Sequence, residues 1–327
     1  ASLTPPNHFS LNHSETFTVI KPTADGGYIA AGRTDSFGAG YGEMWVVKLD
    51  AAGNIVWQKA YGGGSYETAY AIQQTTDGGY ILTGFVYSYS AGQSDFWVLK
   101  LDASGNATWQ KAYGGSNYDA AYAIQQTTDG GYIVAGDTAS SGAGSSDFWV
   151  LKLDAYGNIT WQKTYGGTGE EYSVSIFQTS DGGYIVAGHT QSFGIGYRDS
   201  WVLKLDASGS VIWQKTYGTA VDEWAASFEK TAEGGYILVT FFYIGSSCYF
   251  LLYKLDAAGG LTWEKDYRRT GGVFMGALTI QQTADGGYIL ATSRGESNPN
   301  AWVLKLDASG NITWQKTYGG AGNDLVR

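Results

Sequence analysis

Carboxylate side chains recur along the chain at a spacing of 52 residues. A first series consists of Glu15, Glu67, Asp119, Glu171 and Glu223, and a second consists of Glu43, Asp95, Asp147 and Asp199. Converging carboxylates can bind a polyol or hold Ca²⁺, which takes six to eight oxygen ligands. They can instead accept hydrogen bonds from backbone N–H groups of their own loops and so pin one repeat to the next. Because the acids recur from copy to copy, we favour the structural interpretation and keep a metal site in the first series as the alternative.

A second set of candidate binding residues lies where the fifth copy of the repeat departs from the others. It consists of Glu223, Trp224, Tyr243, Arg268 and Arg269. Trp, Tyr and Arg supply most of the binding energy at protein interfaces. The pattern predicts a binding surface in the loops around the fifth copy, and sequence drift is the alternative explanation.

The residues that enzymes use are not arranged in a recognised pattern. His8, His13 and His189 have no metal-ligand spacing and pair with no reactive Ser or Cys in a known motif. The glycines stand in hairpins and not at nucleotide-binding strand-to-helix turns. We therefore expect no enzyme activity and no cofactor. The remaining enzymatic alternative is a glycosidase or lyase that uses two of the repeated carboxylates.

Six copies of one unit must position all these residues. Gly-Gly-Tyr recurs every 52 residues, and each copy ends with a tryptophan, at Trp57, Trp109, Trp161, Trp213, Trp263 and Trp314. In the third copy, four short β-prone segments are separated by Gly-rich turns; they are 121–127, 132–137, 148–153 and 159–165. Four antiparallel strands at this period are typical of propeller blades. The sequence predicts an all-β, six-bladed β-propeller over residues 15–327, and a linear solenoid is the alternative. Residues 1–14 are expected to form an extension that either lies across the first and last blades as a clasp or contacts a neighbouring molecule.

The acids of the first turn and the repeated tryptophans are expected to be structural. The turn acids are Asp25, Asp77, Asp129, Asp181, Glu233 and Asp285. Asp followed by Gly is favoured in tight turns. The tryptophans are expected to pack blade against blade, because a single blade cannot bury both of its faces.

Composition excludes several classes of function. The formal charge of −10 disfavours binding to nucleic acid and to anionic lipid. Cys248 is the single cysteine, so no intrachain disulfide forms, and no apolar run reaches the ~20 residues of a membrane span. A chain that starts at Ala1 fits removal of a signal peptide, which predicts an extracellular or cell-surface location. A chain trimmed in another way would start in the same manner.

The segment 153–161, Leu-Asp-Ala-Tyr-Gly-Asn-Ile-Thr-Trp, resembles the repeat of quinoprotein (PQQ-type) propellers. The fuller unit resembles repeats in secreted or surface proteins of archaea and bacteria. The resemblance implies that the tryptophan docks on a neighbouring blade. Quinoprotein enzymes have more blades and paired cysteines at the cofactor. Cys248 stands alone, so their activity is not implied here.

Four Asn-x-Ser/Thr sequons, at Asn12, Asn106, Asn158 and Asn311, are candidate glycosylation sites. Three of them follow the second hairpin turn of their repeat, where a glycan would point into solvent. The alternative is that Gly-Asn is simply favourable hairpin chemistry.

Three function classes remain. The first is an extracellular structural or protein-interaction propeller, with self-association into a surface layer or filament if residues 1–14 reach a neighbouring molecule. The second is a carbohydrate-binding propeller, and the third is the propeller enzyme. We favour the first, with a protein partner or a second copy as ligand and no membrane insertion.

Overall fold

Each repeat folds into four strands because turn-forming residues stand at fixed places between β-prone segments. In the first repeat, Gly26 and Gly53 adopt φ values of 80° and 83°. This left-handed region is open to glycine at little cost and strained for other residues. The chain therefore reverses at these two points, and the flanking segments pair as antiparallel hairpins.

The computed structural model describes residues 15–36, 38, 42–245, 247–267, 278–294 and 300–320. Every long regular element among them is a β-strand. No helix in this part of the chain has the length and apolarity needed to cross a membrane. The chain divides into two compact units, residues 1–126 and 127–327.

The first unit contains the blades built from the first two repeats and the first strand of the third. Its strands are β1 (Glu15–Pro22), β2 (Tyr28–Thr34), β3 (Glu43–Leu49), β4 (Ile55–Tyr61), β5 (Glu67–Gln74), β6 (Tyr80–Val86), β7 (Asp95–Leu101), β8 (Ala107–Tyr113) and β9 (Asp119–Gln126).

The second unit contains the remaining strands. They are β10 (Tyr132–Thr138), β11 (Asp147–Leu153), β12 (Ile159–Tyr165), β13 (Glu171–Gln178), β14 (Tyr184–Thr190), β15 (Asp199–Leu205), β16 (Val211–Tyr217), β17 (Glu223–Lys230), β18 (Tyr236–Ile244), β19 (Ser247–Leu255), β20 (Leu261–Asp266), β21 (Thr279–Gln282), β22 (Tyr288–Arg294), β23 (Asn300–Leu306) and β24 (Ile312–Tyr318). Six four-stranded sheets result, each with its strands in chain order, and we number them blades 1 to 6.

The third strand is almost wholly buried in blades 1 to 4. In β7 and β11 every residue is buried, including Lys100 and Lys152. Both faces of these strands are therefore covered, which explains their near-continuous apolar sequence. The fourth strand carries a β-bulge near its start, as in β12 opposite Lys152 and Leu153 of β11. This strand is largely exposed.

The hydrophobic core lies between consecutive blades. In the first unit, Ile29 and Val46 of blade 1 share one buried cluster with Ile72, Tyr80 and Trp97 of blade 2. In the second unit, a similar cluster joins blades 4 and 5. Within each unit, consecutive blades thus bury one face against each other, as stacked repeats do.

Trp57, Trp161 and Trp213 pack against the next blade, as the sequence predicts. Trp57 Nε1 donates a hydrogen bond to Ala103 O at 3.2 Å, and its ring meets Tyr80 edge-on at 5.9 Å. Trp161 donates in the same way to Ala207 O at 3.2 Å. These indoles lie against the turns of the next blade and do not form open platforms for a ligand.

The fold class predicted from the sequence is confirmed: the protein is all-β, with six four-stranded antiparallel blades at a 52-residue repeat. Some boundaries differ from the prediction. The acids expected to precede the first and third strands are instead the first residues of those strands, as Asp119 and Asp147 show. Tyr243 and Cys248, expected in a loop, face each other across an extended β18–β19 hairpin.

Candidate functional site

The two acid series meet in pairs at the end of the blades where the D-to-A and B-to-C loops lie, which we call the loop end. Asp147 of β11 and Glu171 of β13 form one pair, because a Cβ on Gly166 would overlap Asp147 Oδ1 and Glu171 Oε2 together. Gly62, Gly114 and Gly218 mark the equivalent pairs. Each pair joins the third strand of one blade to the first strand of the next.

Backbone groups hold these carboxylates in place. Asp147 Oδ2 accepts hydrogen bonds from Ala143 N at 2.8 Å and Gly144 N at 3.1 Å. Glu171 accepts hydrogen bonds from Gly167 N at 2.9 Å and from the Thr190 hydroxyl at 2.7 Å. The arrangement matches the structural interpretation of the repeated acids, since each carboxylate organises the loop beside it.

Some oxygens of the pairs remain without a hydrogen-bond partner. Asp95 Oδ1, Asp147 Oδ1 and Glu67 Oε2 are buried and accept no hydrogen bond. Burial raises the pKa of Asp95, and the charge of Asp119 adds to the shift. The residues that the structure describes contain no group of three or more His, Cys, Asp or Glu side chains placed to hold a metal. The carboxylates of the first series, Glu15, Glu67, Asp119, Glu171 and Glu223, therefore stay only a predicted calcium site.

An exposed aromatic cluster lies at the loop end of blades 4 and 5. The Trp224 ring stacks on Phe241 at 5.4 Å and meets Tyr243 edge-on at 5.8 Å. The side chain of Tyr243 is 43% exposed. We call Arg198, Trp224, Phe241 and Tyr243 the blade-5 cluster.

Arg198 connects this cluster to two acids. Its guanidinium lies 5.3 Å from the centre of the Trp224 ring, within cation–π range. It also forms ion pairs with Glu170 at 3.3 Å and Asp222 at 3.4 Å. A cation, carboxylates and a flat aromatic surface are thus presented together beside Tyr197, which is 64% exposed.

The structure places the predicted site residues in different environments. Trp224 and Tyr243 lie together in the blade-5 cluster. Glu223 is fully buried. It pairs with Asp199 and accepts hydrogen bonds from Thr219. Burial raises the pKa of Glu223 despite these bonds. Arg268 and Arg269 lie outside the described residues.

Sequence reasoning missed Arg198 and Phe241. Phe241 has a detectable signal, because Phe85 and Tyr87 of blade 2 occupy the same repeat positions as Phe241 and Tyr243. In blade 2, Tyr66 stacks on Phe85 at 5.7 Å. The Arg33 guanidinium lies 4.0 Å from the Tyr66 ring centre. Aromatic residues at these two positions therefore mark loop-end clusters in both blades.

The sequons of blades 2, 3 and 6 are exposed, but their asparagines also have a structural role. Asn106 Nδ2 donates to Asp102 Oδ2 at 2.8 Å, and Asn158 and Asn311 make the same bond in their turns. Asn54, which is not in a sequon, donates equally to Asp50 at 2.9 Å. Hairpin chemistry therefore explains these asparagines without a glycan, and their use as glycosylation sites stays a prediction. Asn12 lies outside the described residues.

The repeated blades define the chain as a six-bladed β-propeller, and solved propellers share its fold. Periplasmic gluconolactonase PpgL of Pseudomonas aeruginosa is 13% identical with a TM-score of 0.57, covering 89% of this chain and 84% of that one. The Pan2 WD40 domain of Neurospora crassa is 10% identical with a TM-score of 0.56, covering 93% and 79%. Puromycin hydrolase is 13% identical with a TM-score of 0.59, covering 95% and 48%. At such identities the likeness shows the fold alone.

No family model matches the chain, so the quinoprotein-type assignment of the repeat stays a prediction. Among curated proteins, the chain is similar to the regulatory protein FlaEY of Caulobacter vibrioides, with 26% identity over 218 residues. The match covers 61% of this chain and 21% of that protein. The chain thus spans about a fifth of the length of that relative.

Proposed function

We propose that the protein is a non-enzymatic, extracellular interaction and structural propeller that binds a protein partner through the blade-5 cluster. The observation that carries the proposal is the combination of the partly buried Arg198 and Trp224 with the exposed Tyr243 at one loop end. Aromatic and arginine side chains that are already ordered lose little further freedom on binding. The ion pairs with Glu170 and Asp222 hold Arg198 in this position before a partner arrives.

The chemistry of the loop end agrees with binding better than with catalysis. Its carboxylates are held by hydrogen bonds from backbone N–H groups, which Asp147 accepts through Oδ2 and Glu171 through Oε2. His189 is buried, and burial lowers the pKa of its imidazole to about 4, with the charge of Arg198 adding to the shift. An imidazole in this environment stays neutral at pH 7 and away from solvent. The enzymes among propellers of similar fold do not decide the point, because one fold hosts many functions.

The test compares the wild type with three variants in binding to proteins of its native cell-surface fraction. Tyr243→Ala and Arg198→Ala should each weaken binding at least tenfold, because each removes part of the exposed cluster. Tyr156→Ala is the matched control, since Tyr156 is 75% exposed on a turn at the other end of its blade. Equal binding by all forms would refute the role of the cluster, and turnover in a broad hydrolase screen would refute the non-enzymatic assignment.

A carbohydrate partner is the second candidate. It is favoured by the exposed rings of Tyr197 and Tyr243, together with the carboxylates of Glu170 and Asp222 that pair with Arg198. Aromatic faces can stack on sugar rings while carboxylates accept hydrogen bonds from hydroxyl groups. A glycan array decides between the candidates: a glycan that binds the wild type and not Tyr243→Ala would establish a lectin.

A further inference from the structure

The junction of blades 3 and 4, within the second unit, is closed by a pair of aromatic side chains. Phe148 of β11 and Trp201 of β15 have their ring centres 4.9 Å apart. Phe148 also lies over the main chain of β14, since a Cβ placed on Gly188 would come within 2.7 Å of its ring. The junction of blades 5 and 6 has the same kind of pair, Phe250 and Trp302, with ring centres 6.1 Å apart. Apolar rings therefore fill the middle of both junctions.

The junction of blades 4 and 5 has smaller or more polar residues at these positions. Ser200 stands in the position of the phenylalanine, Leu251 in that of the tryptophan and Thr240 in that of the glycine. Tyr253 stands where the other blades have leucine or valine. The two losses remove about eleven non-hydrogen atoms relative to the aromatic pair, and the two gains restore about seven. In a close-packed interior the remaining difference of about four atoms is the space of two or three water molecules.

The substituted residues face one another across the junction. Tyr217, Leu251 and Tyr253 belong to one buried cluster that blades 4 and 5 share. Ser200 is the cross-strand neighbour of Tyr217, and Thr240 is the cross-strand neighbour of Leu251. Cross-strand neighbours lie on the same face of a sheet, so Ser200 and Thr240 point into the junction from opposite sides. The ring of Tyr253 lies 5.9 Å from that of Tyr217.

Four polar atoms on these two faces have no hydrogen-bond partner among the residues that the structure describes. They are His189 Nδ1, Ser200 Oγ, Thr240 Oγ1 and Tyr253 Oη. His189 is the other cross-strand neighbour of Ser200 and so shares its face. All four residues are at most 9% exposed. Burial of a polar group without a hydrogen bond is costly, and buried polar groups are nearly always paired with protein or with ordered water.

We propose that the junction of blades 4 and 5 is an internal water-binding site, in which ordered water molecules bridge His189, Ser200, Thr240 and Tyr253. Hydroxyl groups both donate and accept hydrogen bonds, and a neutral imidazole has one nitrogen for each role. A buried water molecule makes two to four hydrogen bonds to such groups. Water thus takes the place that the aromatic pair fills in the neighbouring junctions. The inference goes beyond the proposed function and does not depend on partner binding by the blade-5 cluster.

The first experiment uses the sign of the change in stability when a hydroxyl group is removed. Thr240→Val and Tyr253→Phe each remove one hydroxyl with little change of shape. Each should lower Tm by about 2 °C, because a bound water molecule loses a hydrogen bond. Ser175→Ala is the matched reference and should lower Tm similarly, since Ser175 Oγ donates directly to Phe228 O at 3.0 Å across the same junction.

The opposite sign in this experiment would overturn the proposal. A hydroxyl group without any partner contributes only its desolvation cost, so its removal stabilises the folded state. An unchanged or raised Tm in either Thr240→Val or Tyr253→Phe would therefore show that the hydroxyl is dry and that no water bridges it.

The second experiment locates the water directly. A high-resolution crystal structure of the wild type should show solvent density within about 3.2 Å of Ser200 Oγ and Thr240 Oγ1. A variant that combines Ser200→Phe, Thr240→Gly, Leu251→Trp and Tyr253→Leu copies the junction of blades 3 and 4, and a stacked Phe–Trp pair should replace that density. Direct hydrogen bonds among the wild-type side chains, with no solvent between them, would overturn the proposal. If the combined variant does not fold, the wild-type density and the two single variants still decide.

Discussion

Lys204 and Asp181 form an ion pair between the third strand and the first turn of blade 4, with Nζ 2.9 Å from Oδ2. The lysine is nearly buried, while the aspartate is mostly exposed. Asp181 also closes its own turn, accepting hydrogen bonds from Thr179 Oγ1 at 2.5 Å and Gly183 N at 3.0 Å. The same pair recurs in the other blades, with Glu233 in place of Asp in blade 5. The ion pair allows a lysine to lie in the buried third strand, because the turn carboxylate balances its charge.

This pair predicts loss of stability in acid. Hydrogen bonds from Thr179 and Lys204 lower the pKa of Asp181 from 3.8 to about 2. A lowered pKa stabilises the folded state above pH 4, and that contribution is lost as the pH falls towards 2. Asp181→Asn should cost about 1 kcal/mol at pH 6 and nothing near pH 2. Denaturant unfolding across this range measures the difference, and a difference independent of pH would contradict the assignment.

Gly166 should tolerate no side chain. A Cβ there would overlap both Asp147 Oδ1 and Glu171 Oε2, and backbone hydrogen bonds to Asp147 Oδ2 and Glu171 Oε2 hold the two carboxylates in place. Gly166→Ala should therefore lower the free energy of unfolding by roughly 2 kcal/mol or more. Gly320→Ala is the control, since nothing lies within 4 Å of a Cβ on Gly320, and it should change stability by less than about 0.5 kcal/mol. Equal unfolding midpoints for the two variants would show that the two acidic side chains move aside at little cost in stability.

Neutralising one acid of a pair should stabilise the protein at neutral pH. Burial and the charge of Asp119 raise the pKa of Asp95, so ionisation of Asp95 opposes folding once the pH exceeds its unfolded value of 3.8. Asp95→Asn can still accept the hydrogen bond from Ala91 N. We expect it to raise Tm by roughly 2 °C at pH 7 and not at pH 3. A lower Tm at pH 7 would mean that the negative charge has a partner.

The same variant tests the calcium alternative. If calcium raises the Tm of the wild type and not that of Asp95→Asn, the pair of Asp95 and Asp119 binds the cation. We expect no such shift, because two carboxylates fall short of the six to eight oxygens that calcium takes.

The asparagine of the second turn should contribute equally to stability whether or not it belongs to a sequon. Asn106→Ala and Asn54→Ala each remove an amide that donates to the turn aspartate. Each should cost about 1 kcal/mol in denaturant unfolding of protein made in a host that does not glycosylate. A cost at Asn106 alone would contradict the shared turn chemistry. Intact mass of native protein then tests glycosylation separately.

The sequence predicts those features of the fold that depend on local, repeated motifs. Gly-Gly-Tyr and Asp-Gly place the turns, and the alternation of side chains places the strands, so the six blades follow from spacing alone. The ion pair of Lys204 and Asp181 was not predicted, because a lysine inside an apolar strand gives no sign of its partner. Arg198 was missed for a similar reason, since its position over Trp224 depends on how two blades meet.

The burial of Glu223 could not be predicted from residue type. Glu223 belongs to a diverged repeat, but it lies in the same kind of buried pair as its equivalents, with Asp199 beside it.

The hydrogen bonds that Tyr61, Tyr165 and Tyr217 make across the junctions all end on backbone carbonyls of glycine. A main-chain acceptor is present whatever the side chains of the loop are, so a junction does not distinguish one blade from another. A gene that duplicates or loses a whole 52-residue unit therefore encodes a chain whose new neighbours already fit. Because these hydrogen bonds use main-chain acceptors, blade number can vary within a lineage during evolution. The sequences at the loop end can diverge at the same time.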